Sequence, residues 1–341
     1  MAKHELSKTL ETLLQGNSLS QADAGALMEG LTDETLPGPL AGALLSALRA
    51  KGETADEIRG FAEAMRRLGR RPDLPDVGPT IDVVGTGGDA SGSLNISTGT
   101  ALLAAACGLK VVKHGNRSVS SKSGSADVLE ELGLALPLDE KRAGECLAAS
   151  GFAFLFAPHY HPAMKAVVPV RGAMGVRTVF NLLGPLTNPA APPFGLIGAF
   201  SEEAAELMAH TLSGMDIERV FVVHGEPGWD EATPCGPFVL FDVRPGSVER
   251  EVRDPEDYRL KRCSPQDLAG GDAAQNAAAI RAVMEGRDRG PHHDALLLGT
   301  SLMLEVTGTV KSYRSASGHV RECLASGRPR ELLATLATFG G

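Results

Sequence analysis

Two stretches of this chain combine small, hydroxyl-bearing and basic residues in a pattern typical of phosphate binding. They are residues 85–89, with the sequence GTGGD, and residues 113–117, with the sequence KHGNR. Glycines allow backbone N–H groups to approach a ligand closely, and Lys113 and Arg117 bring full positive charges. The glycines alone would suit an ordinary strand-to-helix turn equally well, but their combination with cations and hydroxyls favours anion binding. The serines that follow the second stretch are Ser118, Ser120, Ser121, Ser123 and Ser125.

Each of these stretches comes directly after a short apolar run that predicts a buried strand. Residues 81–84 (IDVV) precede the first stretch and residues 109–112 (LKVV) precede the second. Between them, residues 95–98 (NIST) open a predicted helix over 99–107, which Gly108 can end in a left-handed conformation. A helix N-terminus carries partial positive charge. The sequence therefore predicts two polar loops at the mouth of a sheet, beside a helix start that favours anions.

Two common phosphate-binding patterns do not fit. A P-loop needs Gly-Lys-Ser/Thr after a first glycine and four further residues, and the chain lacks this pattern. Residues 85–90 match the dinucleotide fingerprint loosely. However, no acidic residue lies between Ala90 and Ala126, where the partner of the ribose is expected. The sequence therefore argues against a dinucleotide-dependent dehydrogenase.

Adjacent carboxylates at Asp230 and Glu231 follow another predicted strand, over 220–223. Oxygen ligands of this kind suit Mg²⁺, which keeps several of its waters. The alternative is a solvated acidic turn, and on either interpretation we expect the loop to be exposed. His159 and His161 could also be metal ligands, but the absence of a nearby third ligand in the sequence disfavours that role.

Composition excludes several classes of protein. The net charge of −9 over 341 residues disfavours a general nucleic-acid binder, which needs a broad basic face. Five scattered cysteines without a Cys-x-x-Cys pair indicate free thiols in a reducing compartment. Residues 179–201 form the longest uncharged run, but its four prolines exclude a continuous membrane helix. With no signal-peptide core at the N-terminus, we expect a cytoplasmic protein.

The order of predicted elements indicates an α/β protein with a small helical domain followed by a larger one. Residues 4–70 predict helices only, and we assign 1–72 to a helical domain, rejoined by 163–190, that serves as a dimer surface. We assign 73–341 to a domain with a mostly parallel central sheet flanked by helices, because strands and helices alternate there. Predicted strands cover 152–156, 196–200 and 220–223; predicted helices cover 126–132, 139–150, 202–213, 273–286, 294–306 and 311–338; strands and loops are expected over 246–270.

Four of these motifs closely resemble those of the anthranilate phosphoribosyltransferases of tryptophan biosynthesis. They are GTGGD at 85–89, NIST at 95–98, KHGNRSVSSKSGSADVLE at 113–130 and FNLLGPLTNP at 180–189. The resemblance covers essentially the whole chain. It implies a homodimeric, Mg²⁺-dependent glycosyltransferase of nucleoside phosphorylase/phosphoribosyltransferase-like fold. Such an enzyme moves the 5-phosphoribosyl group from phosphoribosyl pyrophosphate to anthranilate.

The resemblance also implies which residues bind each substrate, although no residue stands out as a general base. Gly85, Asn116 and Arg171 would bind anthranilate, and Ser97, Asp230 and Glu231 would hold the magnesium. The residues that would bind phosphoribosyl pyrophosphate are Gly85, Gly88, Asp89, Ser93, Asn95, Ile96, Ser97, Thr98, Lys113, His114, Gly115, Asn116, Arg117, Ser118, Val119, Ser120, Ser121 and Ser125.

The chain departs from the usual family pattern at positions that bear on the acceptor. Trp229 replaces a leucine before the acidic pair, Gly172 stands where a lysine is common after Arg171, and Gly299 interrupts a usual Leu-Leu-Asn-Ala run. Trp229 would lie against the acidic loop and could slow its closure. Two alternatives therefore stay open: a phosphoribosyltransferase of the same fold for another aromatic acid or amine, and a non-catalytic relative that binds nucleic acid.

Overall fold

Four helices make up the first part of the chain, as the sequence predicts. The computed structural model describes residues 3–118 and 122–340. Ser20 caps the second helix and Thr54 caps the fourth, each by accepting a hydrogen bond from a backbone N–H three residues later. The helices are α1 (Lys3–Leu14), α2 (Gln21–Leu31), α3 (Gly38–Lys51) and α4 (Ala55–Leu68).

The rest of the chain is built on a mostly parallel sheet, which confirms the predicted fold class. Within the described residues the sheet has seven strands, in the order β3-β2-β1-β4-β5-β6-β7. The first five of these are parallel, and β6 and β7 add an antiparallel hairpin at one side. The strands are β1 (Thr80–Gly85), β2 (Lys110–Gly115), β3 (Phe152–Phe156), β4 (Phe194–Gly198), β5 (Arg219–Gly225), β6 (Phe238–Arg244) and β7 (Ser247–Arg253).

Helices cover both faces of this sheet, and the predicted ones lie close to their expected bounds. Their ranges are α5 (Ile96–Ala106), α6 (Ser125–Glu131), α7 (Glu140–Ser150), α8 (Ala157–Tyr160), α9 (Val168–Met174), α10 (Phe180–Leu183), α11 (Glu202–Leu212), α12 (Ala273–Met284), α13 (Pro291–Val306), α14 (Tyr313–Ala325) and α15 (Arg328–Ala337). No helix among residues 3–118 and 122–340 is both long enough and apolar enough to cross a membrane.

Two expectations about the elements are wrong. The tail over 311–338 is not one helix, because Gly327 takes a left-handed φ of 87° and the next helix begins at Arg328, with Pro329 in its first turn. Strand β6 was not predicted, although its side chains alternate between the core and the outside. It follows a loop rich in proline and glycine and pairs with β5, 13 residues or more away in sequence, which a local pattern does not reveal.

Two apolar cores lie on opposite faces of the sheet. On one face, the core contains α5 to α7 and α12 to α15. On the other face, α11 and side chains of β4 to β6 share a core with the four N-terminal helices and with residues 167–186. The N-terminal helices therefore pack against the sheet domain and against the later segment.

Candidate active site

The acidic loop, residues 229–231, lies directly against the carboxyl ends of the central strands. Strands β1, β4 and β5 all end in glycine, at Gly85, Gly198 and Gly225. A Cβ at Gly85 would overlap the Asp230 carboxylate, and a Cβ at Gly198 would overlap the Asp230 backbone carbonyl. A Cβ at Gly225 would overlap the carbonyl of Glu231. Three strand ends without side chains thus form the floor on which this loop sits.

Hydrogen bonds join the acidic loop to the first glycine-rich loop. The N–H of Gly87 donates to Asp230 Oδ2 at 2.6 Å, and the N–H of Asp230 lies 3.4 Å from Asp89 Oδ2. Asp230 is 8% exposed, so the expectation of an exposed acidic loop is wrong. Trp229, the first residue of this loop, is also buried and belongs to the core that contains α5 to α7 and α12 to α15.

The start of α5 joins the same cluster. The N–H of Ser97 donates to Glu231 Oε1 at 3.1 Å, and the Ser97 hydroxyl accepts from Lys113 Nζ at 3.3 Å. Lys113 also donates to the carbonyl of Val83 and is 1% exposed. Burial lowers the pKa of Lys113, while nearby Asp82 and the acidic loop oppose that change. Predicted metal and phosphate residues from three separate segments therefore meet at one point.

Burial and mutual repulsion strain the carboxylates of this cluster. Burial raises the pKa of Glu231 to about 8, with a further increase from the negative charge of Asp230. Burial likewise raises the pKa of Asp230, and Asp89 adds to the increase. A divalent cation would relieve this repulsion, and the oxygen-only donor set suits Mg²⁺. Within the described residues, no three His, Cys, Asp or Glu side chains group as a metal site, so Mg²⁺ would also need hydroxyl, water or substrate oxygens.

The residues of the second stretch, 113–117, differ in their burial and in their partners. Arg117 forms ion pairs with Asp127 and Glu130 of α6, so its charge is balanced within the protein. His114 is buried, with its ring 5.1 Å from that of His161, and burial lowers its pKa to about 3. Asn116 is exposed at the end of β2. The predicted residues Val119, Ser120 and Ser121 lie outside the described part of the chain.

The remaining predicted donor residues surround the start of α5. Ile96 and Thr98 are buried. The side chain of Asn95 donates to the carbonyl of Ser123 at 3.2 Å and accepts from the Ser123 hydroxyl at 2.9 Å. The residues that stay partly or fully exposed at the mouth are Gly88, Asp89, Ser93, Ser97, Gly115, Ser118 and Ser125.

Arg171, the predicted acceptor residue, lies on α9 in the segment that packs with the N-terminal helices. Its guanidinium carbon lies 5.3 Å from the centre of the Phe180 ring, and burial lowers its pKa. A few residues later, Arg177 Nη2 donates to the carbonyl of Gly88 at 2.7 Å. This bond connects the α9 segment to the first glycine-rich loop. The sequence did not predict this bond, because residues 88 and 177 are far apart in the chain.

Sequence reasoning missed one buried pair beneath the site. Asp82 of β1 accepts a hydrogen bond at 2.8 Å from Asn188 Nδ2 and another at 3.2 Å from the N–H of His114. Burial raises the pKa of Asp82 to about 6, and Lys113 opposes the rise. An acidic residue inside an apolar strand was the available signal. Of the two histidines considered as metal ligands, His161 has its Nε2 3.0 Å from the Thr187 carbonyl, and His159 has its Nε2 3.4 Å from a carboxylate oxygen of Glu140.

Two family models match the chain, one over the N-terminal helices and one over the part that contains the sheet. Residues 7–69 match the helical bundle domain of the glycosyl transferase family, and residues 77–330 match the a/b domain of that family. An anthranilate phosphoribosyltransferase of a Synechococcus strain is 44% identical over 97% of this chain and 96% of its own length. The corresponding protein of Rubrobacter xylanophilus is 42% identical over 94% of each chain.

Solved structures with the same fold belong to the same group of enzymes. The crystal structure of anthranilate phosphoribosyltransferase from Thermus thermophilus has a TM-score of 0.91 and 41% identity, covering 97% of this chain and 98% of its own. The Saccharomyces cerevisiae enzyme in complex with PRPP and Mg has a TM-score of 0.89 and 25% identity, covering 99% of this chain and 98% of its own.

Proposed function

The chain belongs to the anthranilate phosphoribosyltransferase family, and we propose that its own cluster of glycine-rich and acidic loops performs the family reaction. This reaction, a step of tryptophan biosynthesis, transfers the 5-phosphoribosyl group of phosphoribosyl pyrophosphate to the amino group of anthranilate and releases pyrophosphate. The observation that carries the proposal is the convergence of Asp230, Glu231, Ser97 and Lys113 at the glycine ends of the central strands. That convergence brings together carboxylate, hydroxyl and ammonium groups, which are the groups that a metal-bound pyrophosphate would require.

The donor fits the loops on chemical grounds. Backbone N–H groups at residues 85–89 and at the start of α5 can donate to phosphate oxygens, as the residue types predict. Lys113 contributes a charge inside the cluster, whereas Arg117 is paired with two acids and would need to exchange them to reach a phosphate. We therefore propose that Lys113 is the main cation that binds the donor. Arg117 would instead order the second stretch through its ion pairs with Asp127 and Glu130 of α6.

Asp230, Glu231 and Ser97 would hold Mg²⁺, together with oxygens of water and of the donor. When bound, Mg²⁺ stabilises the negative charge that moves onto the pyrophosphate as C1 of the ribose becomes oxocarbenium-like. The protein's own contribution is to keep the carboxylates together in a buried place before the substrate arrives. The hydrogen bonds from Gly87 and Ser97 orient Asp230 and Glu231 for that purpose.

Anthranilate would enter between the first glycine-rich loop and α9. Arg171 is the cation we assign to its carboxylate, since guanidinium and carboxylate pair in a bidentate way. Gly85 and Asn116 would contact the ring and amine from the sheet side. The aniline nitrogen already carries a free electron pair at neutral pH, so orientation against C1 provides much of the rate without a general base.

We also propose a domain assignment and an assembly. Residues 1–72 together with 163–190 would form a dimerisation domain, and 73–341 would bind phosphoribosyl pyrophosphate. The shared apolar core of α1 to α4 with residues 167–186 supports the first unit. The exposed apolar side chains Leu14 and Val168, 65% and 58% exposed, support a surface for a second copy. Five free thiols support a reducing, cytoplasmic location.

Product formation from phosphoribosyl pyrophosphate and a panel of acceptors tests the proposed activity. The panel contains anthranilate, aniline, and isomers of aminobenzoate and hydroxybenzoate, each with Mg²⁺. We expect N-(5-phosphoribosyl)anthranilate from anthranilate and far less product from aniline, which lacks the carboxylate. Product from another acid but not from anthranilate would leave a phosphoribosyltransferase with a different acceptor. A titration with single-stranded DNA at physiological salt tests the nucleic-acid alternative, and we expect no binding because the net charge is −9.

A further inference from the structure

A buried asparagine outside the predicted site connects the two loops that would bind the donor. Asn276 lies in the first turns of α12, on a segment that sequence reasoning assigned only to a helix packing on the sheet, and it is 3% exposed. Its Nδ2 atom donates to Asn95 Oδ1 at 2.7 Å and to Ser123 Oγ at 2.9 Å. Asn95 stands before α5, and Ser123 belongs to the second loop. The amide group of Asn276 is thus hydrogen-bonded both to the residue before α5 and to the serine tract that follows the second stretch.

The amide of Asn276 is itself held in place. Its Oδ1 atom accepts from the N–H of Gly271 at 2.7 Å, which uses the acceptor side of the group. The Nδ2 atom makes its two shortest hydrogen bonds to Asn95 and Ser123, and a longer one of 3.4 Å to the Gly271 carbonyl. A buried amide with all its strong bonds made has one orientation, because rotation would leave donors and acceptors unpaired.

The segment before α12 is also hydrogen-bonded through its backbone to residues 92–94, which lie between the first glycine-rich loop and α5. Ala269 pairs with Ser93 as an antiparallel bridge, flanked by bonds from Leu94 to Leu268 and from Gly270 to Gly92. A Cβ at Gly270 would overlap the Ser93 carbonyl, so the two backbones are as close as glycine permits. Residues 268–276 therefore contact residues 92–94, which follow the first glycine-rich loop, by backbone bonds, and Asn95 and Ser123 by the Asn276 side chain.

We propose that Asn276 is a positioning residue that sets the distance between the two donor-binding loops. It does not touch the substrate in this arrangement, because its polar atoms are used by Asn95, Ser123 and Gly271. Its role is to keep the start of α5, which carries Ser97, in register with the loop that follows Lys113. The inference rests on the proposed use of both loops for phosphoribosyl pyrophosphate.

Steady-state kinetics with each substrate varied in turn tests this role. Asn276→Ala removes all hydrogen bonds of this side chain. Asn276→Asp can still accept the bond from the N–H of Gly271, but its carboxylate cannot donate to Asn95 and Ser123. We expect both variants to raise the KM for phosphoribosyl pyrophosphate about tenfold, the effect of losing a buried hydrogen bond, and to leave the KM for anthranilate within about twofold. Gln275→Ala is the matched control, since Gln275 is exposed on the same helix turn and bonds only locally to Asp272.

A double-mutant cycle separates a specific contact from general loss of packing. If Asn276 acts through Asn95, the Asn95→Ala/Asn276→Ala variant should lose no more donor affinity than the more damaging single variant. Additive losses would overturn the proposal, as would equal increases in both KM values or an unchanged KM for the donor with a lowered melting temperature. If Asn276→Ala does not fold, the same KM values are compared for Asn276→Asp, whose side chain has nearly the same size as that of asparagine.

Failure of the proposed function is distinguishable from failure of this role. Wild-type protein that forms no product from anthranilate would contradict the function but leave the loops testable. Calorimetric binding of Mg²⁺–pyrophosphate to wild type, Asn276→Asp and Gln275→Ala then provides the readout. We expect about tenfold weaker binding in the Asn276 variant alone. Equal affinities in all three proteins would overturn the positioning role.

Discussion

The acidic loop, which we propose to hold the metal, and helix α9, which we propose to bind the acceptor, are built in different ways. The acidic loop is buried, rests on three strand-end glycines and receives hydrogen bonds from Gly87 and Ser97. Every residue of α9 is half-buried or exposed, and Arg171 rests on the Phe180 ring. The Asp230 end of the acidic loop is therefore part of the core, whereas α9 is a surface element.

This difference predicts different effects of mutation. A change in the acidic loop alters buried packing and charge, so we expect it to affect the fold as well as turnover. A change on α9 alters a solvent-exposed surface, so we expect little effect on the fold. One departure of this chain from the usual family pattern is Gly172 on α9, where nothing lies within 4 Å of an added Cβ.

The largest effect is expected from adding a methyl group beneath the acidic loop. In Gly198→Ala the new Cβ would overlap the backbone carbonyl of Asp230, which cannot move without displacing the loop. We expect a loss of about 1–3 kcal/mol in the free energy of unfolding, as for other overpacked cores, and little remaining turnover. Gly318→Ala is the control, because nothing lies within 4 Å of its Cβ. Denaturant unfolding and initial rates measure both, and a Gly198 variant that matches this control would contradict the packing account.

A second test removes the charges of the acidic loop without changing its size. Asp230→Asn with Glu231→Gln should abolish most turnover at limiting Mg²⁺. The folded-state pKa of each acid is raised above its unfolded value, so these groups favour the folded state at low pH and lose that effect as pH rises toward about 8 for Glu231. Without metal, the wild-type melting temperature should fall between pH 5 and 8 more than that of the double variant.

Calorimetric scans across this pH range check the prediction, with and without Mg²⁺–pyrophosphate. The ligand should raise the melting temperature of the wild type but not of the double variant. Parallel pH curves for the two proteins would show that the carboxylates are not under strain. Undiminished turnover of the double variant would show that the loop does not hold the metal.

The smallest effect on the fold is expected at α9. Arg171→Ala should raise the KM for anthranilate by about tenfold or more, through loss of one charged hydrogen-bonding pair. The KM for phosphoribosyl pyrophosphate and the melting temperature should stay close to those of the wild type. Aniline should not improve as an acceptor, since the variant loses an attraction and gains no new contact. A variant with unchanged discrimination between anthranilate and aniline would remove Arg171 from the acceptor site.

Prediction from the sequence succeeded where local pattern carries the information. The strands before the two glycine-rich loops, the caps at Ser20 and Thr54 and most helices were predicted because periodicity and capping act over a few residues. The same reasoning proposed Asp89, Ser97, Lys113, Asp230 and Glu231 as one site, and the fold brings them together. It treated Arg117 as a phosphate cation, although α6 supplies the acids that pair with it.

The features that the sequence did not predict depend on packing between residues far apart in the chain. Burial of the acidic loop depends on glycines at the ends of three strands that are far apart in sequence, and the role of Asn276 depends on two loops more than 150 residues before it. The chemical types of the site residues and their place after strands are thus determined by sequence alone. Their burial, their charge balance and their partners are set only when parallel strands align their carboxyl ends, because those properties belong to neighbours that no local pattern specifies.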